Sequence, residues 1–164
     1  MFARNLAGIK SVQFLSGGEA VTAGTGTADK TISAVVVANT IIESIGGNCD
    51  SDAASTGAIG AALTSTTNVR LYWKSNAIRT YNYAFMIIEF YPGVLRAAPQ
   101  FVAASALNVT ITALKDYTKA AVFYCGGTSA VLRVFGLLTS PTNMQWNTYV
   151  NVETQRMCVA EFNN

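Results

Sequence analysis

Histidine is absent from the 164-residue chain. Its absence removes Ser–His and Cys–His nucleophile pairs, imidazole metal ligands and an imidazole general base. Charge is scarce as well. Only 12% of the residues are Asp, Glu, Lys or Arg, about half the usual share of a soluble domain. Eleven basic and nine acidic residues leave a net charge of +2, too little for the footprint of a nucleic-acid binder. Apolar runs such as Val35 to Ala38 and Ala84 to Ile88 fall far short of the roughly 18 residues of a membrane helix. They read as buried strands. The first ten residues, from Met1 to Lys10, contain no continuous apolar stretch of a signal peptide's kind. The expectation is a chain made in a cytoplasm and released, if at all, by lysis. Cysteine appears three times, at Cys49, Cys125 and Cys158. An odd number with no C-x-x-C pair argues against a disulfide framework or a zinc site. Cys125 and Cys158 read as small buried hydrophobes, and Cys49 as a loop thiol.

What replaces charge is hydroxyl and amide. The chain has 18 Thr, 11 Ser, 12 Asn and 13 Gly, together 54 of 164 residues. It also repeats itself. Thr31-Ile-Ser-Ala34 returns as Thr110-Ile-Thr-Ala113, and Ile45-Gly-Gly47 as Cys125-Gly-Gly127. Leu63-Thr-Ser-Thr-Thr-Asn68 returns as Leu138-Thr-Ser-Pro-Thr-Asn143, and Glu89-Phe90 as Glu161-Phe162. The echoes keep their order, with offsets of 79, 80, 75 and 72. The chain therefore divides into an arm over 1–8, a first unit over 9–92 and a second over 93–164, joined at Tyr91-Pro-Gly93.

Both units read as strands, rich in Val, Ile, Thr, Tyr and Phe. Val69, Leu71 and Trp73 alternate with Arg70, Tyr72 and Lys74, the period of a strand with one face in water. In the first unit strands are expected at 11–15, 30–37, 40–45, 60–64, 68–74 and 80–90. In the second they are expected at 109–114, 120–125, 131–138, 144–150 and 154–162. Gly24-Thr-Gly26, Gly46-Gly47, Gly126-Gly127, Ser75-Asn76 and Ser140-Pro141 read as turns or breaks. The stretch 53–62 competes as a helix by composition, but its two Gly residues cost about 1 kcal/mol each, and it reads as loop. The fold class is all-β: two tandem, internally repeated antiparallel β-sandwich-like halves. A half of this size buries little core alone, and two packed together form a sounder unit.

No residue set calls for catalysis, a metal or a cofactor. Asp50-Ser-Asp52 lacks the Gly and Glu that continue a calcium loop. Glu89 and Glu161 stand at matching places in the two units, which points to one structural task done twice, such as an edge carboxylate meeting an Arg. The glycines do not form a dinucleotide or P-loop pattern. Phe2, Leu6, Ile9, Trp73, Tyr81, Tyr83 and Trp146 exceed what two small cores need, and they are read as an interface set, since interfaces are rich in aromatics and poor in charge.

The order Thr-Ile-Ser-Ala, an apolar strand into Gly-Gly, a small-residue polar loop, Leu63-Thr-Ser-Thr-Thr-Asn-Val69 and a closing Ile87-Ile-Glu-Phe90 resembles small β-rich virion structural proteins of tailed bacteriophages. The second unit departs from the pattern at Pro141, Met144 and Ala160. The resemblance implies a virion component: a head decoration, head fibre, or tail or collar part. Its partners would be capsid or tail proteins and further copies of itself, with a trimer favoured, and neither nucleic acid nor membrane. A receptor- or carbohydrate-binding module at an exposed tip, with a host glycan as ligand, is the alternative. A carboxylate-pair hydrolase and an inhibitor of a host protein are further rivals.

Overall fold

The computed structural model describes residues 8–49, 59–75, 77–104, 108–127, 135–147 and 155–163. Among them are twelve strands. The first six are β1 (Ile9–Val21), β2 (Gly24–Thr31), β3 (Thr40–Cys49), β4 (Gly60–Ser65), β5 (Asn68–Ser75) and β6 (Arg79–Phe90). The second six are β7 (Gln100–Ala104), β8 (Asn108–Thr110), β9 (Ala120–Gly127), β10 (Phe135–Ser140), β11 (Asn143–Asn147) and β12 (Gln155–Glu161).

They form four antiparallel three-stranded sheets, two in each half. In the first half the orders are β1-β6-β3 and β2-β5-β4. In the second they are β7-β12-β9 and β8-β11-β10. Adding six to each strand number of the first half gives the second. The likeness reaches single hydrogen bonds. Ile32 N donates to Thr67 O at 2.9 Å and Ile111 N to Thr142 O at 3.0 Å. Val35 N donates to Thr66 O and Leu114 N to Pro141 O, both at 2.8 Å. Only a carbonyl is used there, so Pro141, which lacks an N–H, serves as well as Thr66. Asn68 Nδ2 donates to Thr64 Oγ1 and Asn143 Nδ2 to Thr139 Oγ1, each at 2.6 Å. The Leu-Thr-Ser-x-Thr-Asn echo is thus one hairpin turn built twice.

Several expected elements move. The Thr-Ile-Ser-Ala segment, read as the start of a strand over 30–37, closes β2 at Thr31 and then crosses the end of the sandwich without sheet pairing. Its amides are taken by the β4–β5 turn and by the side chain of Gln13. Gly24-Thr-Gly26 is the start of β2 and no turn, because the Trp73 ring fills the space that a side chain at Gly26 would need. The Gly46-Gly47 pair does not break its strand, since β3 runs through it with a register shift between Ser44 and Gly46, whereas β9 ends on Gly126-Gly127 with a register shift opposite, between Gln155 and Met157. The strand β7 escaped the sequence reading, and β1 continues to Val21. Ala61 and Ala62 belong to β4, and the rest of the stretch weighed as a helix lies mainly outside the described residues. At the joint, Val94 N donates to Tyr91 O at 3.2 Å, and Gly93 has φ +85°. That is a turn with Pro92 at its second position and Gly at its third.

One core runs from the first sandwich into the second half. Ile42, Val69, Leu71, Tyr81, Phe85 and Ile87 share it with Cys125, Cys158 and Ala160. A smaller core holds Ile111, Leu114, Met144, Met157 and Val159. Neighbouring residues of β12 therefore serve different cores: Met157 and Val159 face their own sandwich, Cys158 and Ala160 the first half. The sheet β7-β12-β9 is covered on both faces.

Candidate functional site

Repeat symmetry singles out the two glutamates, and both act as clamps. Glu89 is buried near the end of β6. It accepts from Lys10 Nζ at 2.9 Å, Ser11 Oγ at 3.1 Å and Val36 N at 3.0 Å. Burial pushes its carboxyl pKa up, but the bonds from Lys10, Val36 and Ser11 outweigh this and hold it below the ordinary value. Glu161, buried at the end of β12, accepts from Lys115 N at 3.1 Å and Asp116 N at 2.7 Å. Arg96 Nε lies 3.4 Å from Glu161 Oε1, an ion pair without hydrogen-bond alignment. Val36 and Lys115 occupy one position of the repeat, so each carboxylate fastens the same crossing segment. Both glutamates are committed to backbone, and neither lines the groove described below.

The junction between halves has its own chemistry. The Cys125 thiol donates to Ile42 O at 3.0 Å. Burial pushes its pKa well up, and that of Cys158 up to about 12. Gly126 has φ +86° and sits directly against the Ile59 carbonyl and Gly60. The Arg156 guanidinium carbon lies 3.3 Å from the centre of the Tyr72 ring. Phe90 and Phe162, equivalent in the repeat, meet edge to face with ring centres 5.8 Å apart.

Of the expected interface set, Trp73, Tyr81 and Tyr83 are buried in the first sandwich, and this corrects the reading of them as a surface for partners. They occupy the inward positions of β5 and β6, and period-2 alternation cannot say which face is inward. Ile9 is half-buried against the same core. Phe2 and Leu6 lie outside the described residues, as does the side chain of Trp146.

Large apolar side chains are exposed elsewhere, at Val36, Ile45, Ile78 and Tyr91 and on two sheet surfaces. On the outer face of β1-β6-β3, Phe14 is 70% exposed and Val12 is 41% exposed. They neighbour Met86 and Ile88 across the β1–β6 pairing. In the second half, Tyr117, Ala120, Val122, Gly136, Leu137 and Leu138 line an open groove of about 260 Å³ between β9 and β10. Leu137 there is 63% exposed. Nothing in the sequence marked Phe14 or Leu137, since each sits in an ordinary strand pattern. The repeat alignment could have flagged Leu137, because it pairs it with the much smaller Ala62.

Among the described residues there is no cluster of three or more Cys, Asp or Glu placed to hold a metal ion. Among the same residues no helix is long and apolar enough to cross a membrane. Comparison of the chain with protein-family models, curated proteins and solved structures gives no match.

Proposed function

We propose that this protein is a non-catalytic structural component of a tailed-phage virion, attached to capsid or tail and assembling as a homo-oligomer. The observation that carries the reading is the use of its best acid candidates. Glu89 and Glu161 are both tied to backbone amides as clamps, while Phe14 and Leu137 turn large apolar side chains to solvent from β-sheet surfaces. Such a chain presents faces to neighbours. The resemblance of its Thr-Ile-Ser-Ala, Leu-Thr-Ser-Thr-Thr-Asn-Val and Ile-Ile-Glu-Phe segments to virion proteins supplies the setting. Trp73, Tyr81 and Tyr83 are core residues and drop out of the aromatic platform that the sugar-binding alternative needs. The test is mass spectrometry of purified particles, followed by a reconstruction. The expected result is the intact chain in stoichiometric copy number, with density of two tandem sandwiches on the head or tail. Particles that lack the chain would overturn the reading.

A further inference from the structure

Duplication supplies a template for how one copy meets another. Within the chain, β9 runs against both β3 and β4, so the outer face of β7-β12-β9 covers the β3–β4 edge of the first half. On the covering face are Phe101, Cys158 and Phe123, which face each other across β7, β12 and β9. All three pack into the shared core. On the covered edge, Ile42 and Ala61 are fully buried, and Ala62 is only 8% exposed.

Each of these surfaces has an equivalent that, around Phe14 and around Leu137, stays exposed among the described residues. The repeat carries Phe101 to Phe14, Cys158 to Met86 and Phe123 to Glu43, which again form one row across a sheet. Here Phe14 stands in solvent. The repeat carries Ile42 to Val122, Ala61 to Gly136 and Ala62 to Leu137. These last three line the open groove between β9 and β10. The first half thus has a free face and the second half a free edge, and their covered counterparts already pack together inside the chain. The face is also continuous with the internal junction: Ile41 and Ile88 lie on it, and both are buried in the shared core.

We infer that copies of the chain associate head to tail, the β9–β10 edge around Leu137 of one copy docking on the β1-β6-β3 face around Phe14 of the next. The partner for both surfaces is a second copy of this chain. The contact is heterologous, so it closes into a ring or continues as a filament. The inference rests on the homo-oligomer part of the proposed function and adds the two surfaces and their polarity.

The test is the mass of the full chain in solution, by light scattering or sedimentation, for wild type, Phe14→Glu and Leu137→Glu. Both positions are well exposed, so circular dichroism and melting should be unchanged. Wild type is expected as a multiple of 17.4 kDa, and each variant alone as a single chain. Mixing the two variants is expected to give a species of twice the single-chain mass, because one keeps the face and the other the edge. A wild-type chain that stays single at its highest soluble concentration overturns the inference. So does a Leu137→Glu variant that stays assembled, which would mean face-to-face pairing, and so does a mixture that remains single chains. Particle attachment is read separately. A monomer found on virions sinks the head-to-tail contact and the homo-oligomer with it but leaves the virion reading standing, and the mixed dimer without any virion sinks only the virion reading.

Discussion

Gln13 and Gln100 are one side chain used twice. Gln13 Nε2 donates to Ser33 O at 3.0 Å, and its Oε1 accepts from Ser33 N at 2.9 Å. Gln100 does the same with Thr112, at 2.9 and 2.7 Å. Each amide completes a ring with the segment that crosses its sandwich. Both pairs are solvent-exposed, so Gln13→Ala and Gln100→Ala should each cost about 1 kcal/mol. The sites share no partner, so their effects should add. Denaturant midpoints of the two single variants and the double variant check this.

The Glu89 clamp should give the protein an acid limit. The folded-state pKa of Glu89 lies below its ordinary value. The stability it contributes is therefore complete above about pH 4.3 and is lost as the pH falls through the lowered folded value. Glu89→Gln should unfold more readily at neutral pH and show a flatter acid dependence than wild type. Asp29 is held down to about 2, by Arg70 first and then Asn68, and adds its own acid dependence to both proteins. The difference between wild-type and Glu89→Gln urea midpoints across the acid range isolates the clamp.

Gly126 and Gly93 make a controlled comparison. Both have positive φ, +86° and +85°. A Cβ at Gly93 meets open space, whereas one at Gly126 meets the Ile59 carbonyl and Gly60. Gly93→Ala should cost about 1–2 kcal/mol from backbone strain alone. Gly126→Ala should cost clearly more, since it also pushes the halves apart. The two melting temperatures decide it.

The junction thiols should be silent. Cys125 and Cys158 have no exposed surface, and burial raises both pKa values. In a Cys49→Ser background, a thiol reagent should label neither under native conditions and both in denaturant. Labelling at native pH would show that the halves separate.

Arg156 and Tyr72 form the charged contact across the junction. A double-mutant cycle with Arg156→Met and Tyr72→Leu should return a coupling of about 0.5–2 kcal/mol. A coupling of zero would mean that Arg156 contributes only its packing against Gly60.

Much of the architecture is visible in the residues, because duplication writes the same turn chemistry twice. The hairpins at Leu63 and Leu138 and the glutamates at 89 and 161 are legible for that reason. Strand ends are less so. β7 has only Gln-Phe-Val-Ala-Ala to announce it, and its identity depends on Gln100 reaching Thr112. The Gly-Gly pairs look like breaks, yet Gly126 and Gly127 belong to β9, where a side chain on Gly126 would meet Ile59 of the other half and one on Gly127 would meet Gln155 of β12. The surfaces were the least legible feature. Trp73 and Tyr81 look like contact residues and are core, while Phe14 looks like core and stands in water. Which face of each sheet turns inward separates these cases, and that is set by how the sheets pack.

Burial of β7-β12-β9 on both faces also bears on descent. Once the second copy had lodged against the first, its outer residues became Cys158, Ala160 and Phe123 where the first keeps Met86, Ile88 and Glu43. The halves have diverged into complementary shapes and can no longer be exchanged. Deleting either would not bring back the solitary ancestor. It would leave a fragment with a sticky, unmatched side.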